Sequence, residues 1–128
     1  MLLLDTCALL WLSDDQGKLS QVARQLIVRH AGSLFVSAAS GFEIARKQSQ
    51  GKLDLPLPAE EWYPQAIASH GLAEIPLTGE ILIRAAHLPM IHRDPCDRFI
   101  LATALLKDMT LVTADTVMPQ YPGVKVVW

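Results

Sequence analysis

The stretch HRDPCDRFI, His92 to Ile100, sets Asp94 and Asp97 three positions apart between Arg93 and Arg98, then runs into an apolar segment. Carboxylates at this spacing have a local use and a chemical one. Locally, Asp94 ahead of Pro95 fits a helix N-cap followed by proline at the first helical position. Asp97 then falls in the first turn, where the helix dipole favours an acid. Chemically, the pair matters only if other acids meet it, and Asp5, Glu43 and Asp115 are the candidates. Asp5 directly follows the apolar run MLLL, Asp115 follows TLVTA, and Glu43 is expected in the first turn of a helix leaving SLFVS. Each has a capping use as well: Asp5 for TCALLWL, Glu43 as the partner of Ser40 in a capping box, and Asp115 for the short segment behind it. Gathered at one end of a sheet, Asp5, Glu43, Asp97 and Asp115 would repel one another and hold raised pKa values unless a cation neutralised them. An all-oxygen set selects a hard divalent ion, Mg2+ or Mn2+, over zinc, for which the chain has no Cys/His spacing. Such an ion in an acidic crevice serves phosphoryl chemistry, activating water and clamping the oxygens of an in-line displacement.

The acids can meet only if the fold carries them to one edge. Short apolar runs at MLLLD, SLFVS (33–37), AEIPL (73–77), TLVTA (110–114) and VKVVW read as four or five strands. They are continuous rather than alternating, the mark of strands covered on both faces in a mostly parallel sheet. Helical segments fall between them: SQVARQLIVRHA capped by Ser20, SGFEIARKQSQG from Ser40 to a stop at Gly51, PAEEWYPQAIASHG to Gly71, TGEILIRAAHL capped by Thr78, and DPCDRFILATALLKD, expected to be the longest. Strand and helix alternate, which predicts a three-layer α/β/α sandwich with right-handed crossovers. Ligands of such sheets bind in the crevice at the carboxyl ends of the strands. The segment after Asp97 is apolar nearly all round, so it is expected to be the most buried helix, with its N-terminus deep in the molecule.

The 128 residues suit one domain, 1–128, with a proper core; no repeat or linker is visible. Hydrophobic content of 51% with 19% charged residues argues against disorder. Cys7 and Cys96 stand far apart in a chain without a signal peptide, so no disulfide framework is expected and a reducing cytoplasm is the simplest location. No run approaches the length of a membrane span. A net charge of −2 means that any nucleic acid must be held by local groups rather than by a global positive field.

At these residues the sequence resembles the PIN-domain family of nucleases, and within it the short VapC-like toxins of bacterial type II toxin–antitoxin modules. The likeness covers the whole chain, through LLLDTCALLWL, FVSAASGFEIARKQSQGKL, LPMIHRDPCDRFILATAL, and LVTAD followed by Tyr121 and Trp128. Cys96 stands where such toxins more often carry an aromatic residue. The resemblance implies a PIN-like fold and an endoribonuclease dependent on Mg2+ or Mn2+, with the catalytic and metal-holding acids carried onto Asp5, Glu43, Asp97 and Asp115. Asp94 becomes an outer-sphere residue, and Thr6 and Thr113 would orient a carboxylate or a metal-bound water, or act only as caps. It also implies an RNA substrate, a cognate antitoxin and a homodimer.

Groups able to hold a phosphate backbone are Arg46, Lys47 and Lys52 after Glu43, and Arg93 and Arg98 around the aspartates, each also readable as a solvated surface charge. His87 and His92 suit surface or hydrogen-bonding roles, His92 being better placed for a phosphate contact. Trp11, Leu12 and Trp62 are either core residues or part of an apolar groove for an antitoxin peptide. Two other functions compete with the toxin. One is a housekeeping RNA-processing nuclease on the same fold. The other is a receiver-like phospho-acceptor domain with Asp5 near its phosphorylation site, which would lack the adjacent acidic pair it needs and leave Glu43 and Asp97 idle.

Overall fold

Leu2, Leu3 and Leu4 are all buried, which three successive strand residues achieve only in the middle of a sheet covered on both faces. In the computed structural model, which describes residues 1–128, they form the central strand β1 (Leu2–Leu4). The chain continues through α1 (Thr6–Asp14), α2 (Gln21–Arg29), β2 (Leu34–Ser37), α3 (Ala38–Ser49), α4 (Ala59–Ser69) and β3 (Ala73–Ile75). It then forms α5 (Gly79–His87), α6 (Pro95–Leu106), β4 (Thr110–Val112) and β5 (Lys125–Val127). The sheet has five strands in the order β3-β2-β1-β4-β5, and every pairing is parallel.

Alternation along β1 assigns the helices to layers. Leu2 and Leu4 pack with Leu9 and Leu12 of α1, Ile27 of α2 and Trp62 of α4, whereas Leu3 packs with Ile81 of α5 and Ile100 and Leu101 of α6. Helix α3 reaches both layers through Ile44 and Ala39. This is the expected three-layer α/β/α sandwich. Seven residues of α6 are buried, more than in any other helix, in keeping with its all-round apolar sequence. It is not the longest, since α3 also has 12 residues.

The start of α3 corrects the sequence reading. Ser37 rather than Ser40 is the N-cap, its Oγ accepting the Ala39 N–H at 3.1 Å, because the helix leaves β2 without a connecting turn. Ser40 therefore lies inside the helix, and Glu43 falls in the second turn and completes no capping box. The far end behaves as read: Gly51, at φ 69°, lets the Lys52 N–H reach the Lys47 carbonyl at 2.9 Å and closes the last turn.

Strand order fixes where a site can form. From β1 the chain moves outward through β2 to β3, then returns to the other side of β1 as β4. The carboxyl ends of β1 and β4 therefore flank the point where the winding reverses, and a crevice opens there.

Candidate active site

Asp5 follows β1 at this reversal. Its backbone N–H donates to the Val112 carbonyl at 3.1 Å, which ties it to the end of β4, and its Oδ1 accepts the Ala8 N–H at 2.8 Å as the N-cap of α1. The Thr113 hydroxyl donates to the other oxygen, Oδ2. Capping and site geometry thus coincide in one side chain. Thr113 Oγ also accepts the Asp115 N–H at 3.0 Å, so one hydroxyl sets the relation between the residues leaving the two central strands. Asp115 Oδ1 accepts the N–H groups of Val117 and Met118 at 2.6 and 3.2 Å, leaving Oδ2 for other partners.

Glu43 is buried and arrives from α3, with Lys47 one turn on at 3.5 Å from its Oε2. Asp94 caps α6 by accepting the Cys96 N–H at 2.9 Å, and Asp97 sits in the first turn. A pocket of about 340 Å³ collects these groups: Asp5, Glu43, Asp94, Asp97 and Asp115 line it, with Lys47 as a cationic wall residue and Trp11 at the side. Five acids share this one pocket. Burial pushes Asp5 up to about 6, against the Thr113 and Ala8 hydrogen bonds that favour its charge, and Asp115 and Glu43 add repulsion. Asp97 is pushed up to about 7, first by burial and then by the Asp94 charge. Burial would raise Asp115 too, but the Val117 N–H, the His92 ring and the Met118 N–H together hold it below the usual carboxylate range.

The donor set fits a hard divalent cation: it is all oxygen, strongly anionic, and at neutral pH unable to ionise fully without countercharge. His92, Asp97 and Asp115 also bring ligand atoms within 4.8 Å of one another.

The PIN domain family model matches residues 2–124, which takes in every acid of the pocket. The chain belongs to the PIN-domain family. Ribonuclease VapC22 of Mycobacterium tuberculosis is 37% identical to it over 114 residues, 88% of this chain and 85% of the relative. Among solved structures, a toxin-antitoxin complex from Klebsiella pneumoniae matches with a TM-score of 0.68 at 21% identity, over 100% of this chain and 97% of that one. VapBC2 from Rickettsia felis, bound to a DNA fragment from its promoter, matches with a TM-score of 0.72 at 13% identity over 99% and 98%. Both share the PIN-domain fold described above.

Other residues singled out in the sequence fall differently in this PIN domain. Thr6 lines the same pocket but is buried and pairs with Ser40 Oγ at 2.9 Å, which joins α1 to α3; its hydroxyl has no carboxylate partner. Arg98 corrects the phosphate-binding expectation. It is 6% exposed, and its guanidinium donates to the carbonyls of Ala85, Leu88, Pro89 and His92, so it serves the fold. Arg93 and Lys52 are exposed, and exposed Arg46 lies 5.5 Å over the Phe42 ring. Lys47 faces Glu43. Trp62 is a core residue, whereas Trp11 is half-buried against Trp128 with ring centroids 5.5 Å apart. His87 is exposed at the end of α5.

His92, read from the sequence as a hydrogen-bonding residue placed for a phosphate contact, stands instead against two of the acids. Its Nε2 lies 3.0 Å from Asp97 Oδ2 and 3.1 Å from Asp115 Oδ2. The available signal was its position two residues before the Asp94 cap, which swings its ring over the start of the helix that carries Asp97.

Proposed function

We propose that this PIN domain, acting as one catalytic unit over 1–128, is a metal-dependent endoribonuclease and the toxin of a type II toxin–antitoxin module. The observation that supports it most is the convergence of Asp5, Glu43, Asp97 and Asp115 from four different elements on one pocket at the reversal of the sheet. The names of its relatives, a VapC ribonuclease and toxin–antitoxin complexes, agree with that chemistry and supply the toxin context.

In this reading Asp5, Asp97 and Asp115 hold Mg2+ or Mn2+, with Glu43 as a further ligand or as the acid facing the attacking water. A bound ion would supply a water of lowered pKa and stabilise charge building on the phosphate oxygens. The protein's own contribution is placement. Thr113 orients Asp5, Asp94 fixes the start of α6 and with it Asp97, and Lys47 offers a cation beside Glu43 for a phosphate oxygen. Arg46 and Arg93 are the exposed cations available to the RNA backbone on either flank. The partners are RNA, a cognate antitoxin and a second copy of the chain, in the cytoplasm. No helix is long and apolar enough to cross a membrane.

Incubating the purified chain with RNA tests the reading. Cleavage is expected with Mg2+ or Mn2+, none in excess EDTA, and recovery when the ion is restored; full cleavage under EDTA refutes the metal-dependent reading. In the cell, expression of the chain alone is expected to arrest bacterial growth, and co-expression of an antitoxin encoded just upstream to relieve the arrest. Harmless expression of folded, metal-loaded protein would favour RNA processing instead.

A further inference from the structure

His92 touches two carboxylates of the pocket without lining it. Its side chain is 15% exposed, and its Nε2 lies against Asp97 and Asp115, two of the acids that line the pocket. Proton placement on the ring follows from its neighbours. Nδ1 accepts the backbone N–H of Asp94 at 3.4 Å, and Nε2 faces two carboxylate oxygens, which are acceptors. With Asp97 and Asp115 both ionised, as a bound cation requires, both sides of the ring call for the hydrogen on Nε2. A nitrogen so committed has no lone pair for a cation, although the spacing of His92, Asp97 and Asp115 alone would suit a metal triad.

The loop carrying His92 is itself fixed at several points. Its N–H donates to Tyr121 Oη at 2.6 Å, and its carbonyl accepts from Arg98 Nη1 at 3.2 Å. Arg98 also donates to Tyr121 Oη at 3.4 Å. This degree of support suits a ring whose position matters. The carboxylates it touches come from elements far apart in sequence, Asp97 on α6 and Asp115 after β4. Without a donor between them they repel, and an incoming cation would have to organise them as it binds.

We infer that His92 is a positioning residue of the metal pocket, its Nε2–H bridging Asp97 and Asp115 so that both carboxylates are held ready for one cation. This rests on the pocket being a metal site, as proposed above. Hydrogen-bond donors behind metal ligands have a known scale of effect, with removal weakening metal affinity about 10- to 100-fold.

The test is calorimetric titration of the full chain with Mn2+, comparing the parent with His92→Gln and His92→Ala, with metal-free melting curves recorded alongside. The glutamine amide restores an N–H near Nε2, whereas alanine removes the donor. The parent and His92→Gln are expected to bind Mn2+ within about threefold of each other, and His92→Ala to bind about tenfold or more weakly. Equal loss in both variants would make the ring a ligand and overturn the inference, as would equal affinity in all three proteins. A parent protein that takes up no Mn2+ refutes the metal site itself, an outcome distinct from binding that is indifferent to His92. Should His92→Ala fail to fold, His92→Leu, which fills the space without a donor, takes its place in the same comparison.

Discussion

Asp94 and Asp97 share one helical turn but divide the labour between stability and chemistry. The Asp94 carboxylate satisfies the Cys96 N–H, so Asp94→Ala is expected to lose about 1 kcal/mol of stability while retaining measurable cleavage. Asp97 makes no cap hydrogen bond. It faces the pocket, and burial has already raised its pKa, so the neutral, nearly isosteric Asp97→Asn should fold normally and lose orders of magnitude in turnover. Paired melting temperatures and cleavage rates at saturating Mg2+ separate the two roles. Parent-like cleavage by Asp97→Asn would reduce that acid to helix punctuation. The aspartates were legible in the sequence because each sits directly against a recognisable boundary, the end of a strand or a proline-marked helix start. The pairing of His92 with two of them was not, because these carboxylate partners lie 5 and 23 residues away and meet it only in three dimensions.

Among the elements, α6 is tied to α5 and the loop after it by the arginine of its first turn. Arg98 gathers carbonyls from the end of α5 and the following loop, a cation placed where the α5 dipole is negative. Arg98→Ala would leave several buried carbonyls without donors and is expected to destabilise the fold by about 3 kcal/mol. Arg98→Lys should recover little, since a single ammonium cannot span the acceptors that the guanidinium fork reaches. Chemical denaturation measures both. An unchanged midpoint combined with weaker, less salt-sensitive RNA binding would return Arg98 to the phosphate-contact role. Cap and stop signals marked the five helices from α2 to α6, but the start of α3 shows their limit. Ser37 and Ser40 are equally good caps by type, and only the direct passage from β2 into the helix selects the first. That shift moves Glu43 one turn deeper without removing it from the pocket.

At the scale of the molecule, the pocket sets a pH dependence. Asp5 and Asp97, raised from 3.8 to about 6 and about 7, bind protons in the folded chain at pH values where the unfolded chain has released them. Their contribution is therefore fully present below about pH 4 and is lost as pH climbs through 6 and 7. Asp115, held below the usual range, acts in the opposite sense and only in more acid solution. The metal-free protein is accordingly expected to melt at falling temperature between pH 5 and 7.5. Mg2+ or Mn2+ should raise the melting temperature by an amount that grows with pH, as deprotonated carboxylates become available to it. Calorimetry in EDTA and in excess metal gives both curves, and a metal-free melting point that climbs steadily over this window contradicts the shifts.

The hydrogen bond from Thr113 to Asp5 spans 108 residues. While the chain is being made, β1 can pair with β2 almost at once, yet the second wall of the crevice does not exist until β4 has been synthesised, 73 residues after β2 ends. At bacterial translation speeds that interval is roughly 4 to 15 seconds. A nascent chain attached to its ribosome, surrounded by the cell's own RNA, thus carries Asp5 and Glu43 with no Asp97 or Asp115 to complete them. Under the function proposed above, the topology delays the nuclease until translation is nearly over, a window in which an antitoxin already present would wait for it.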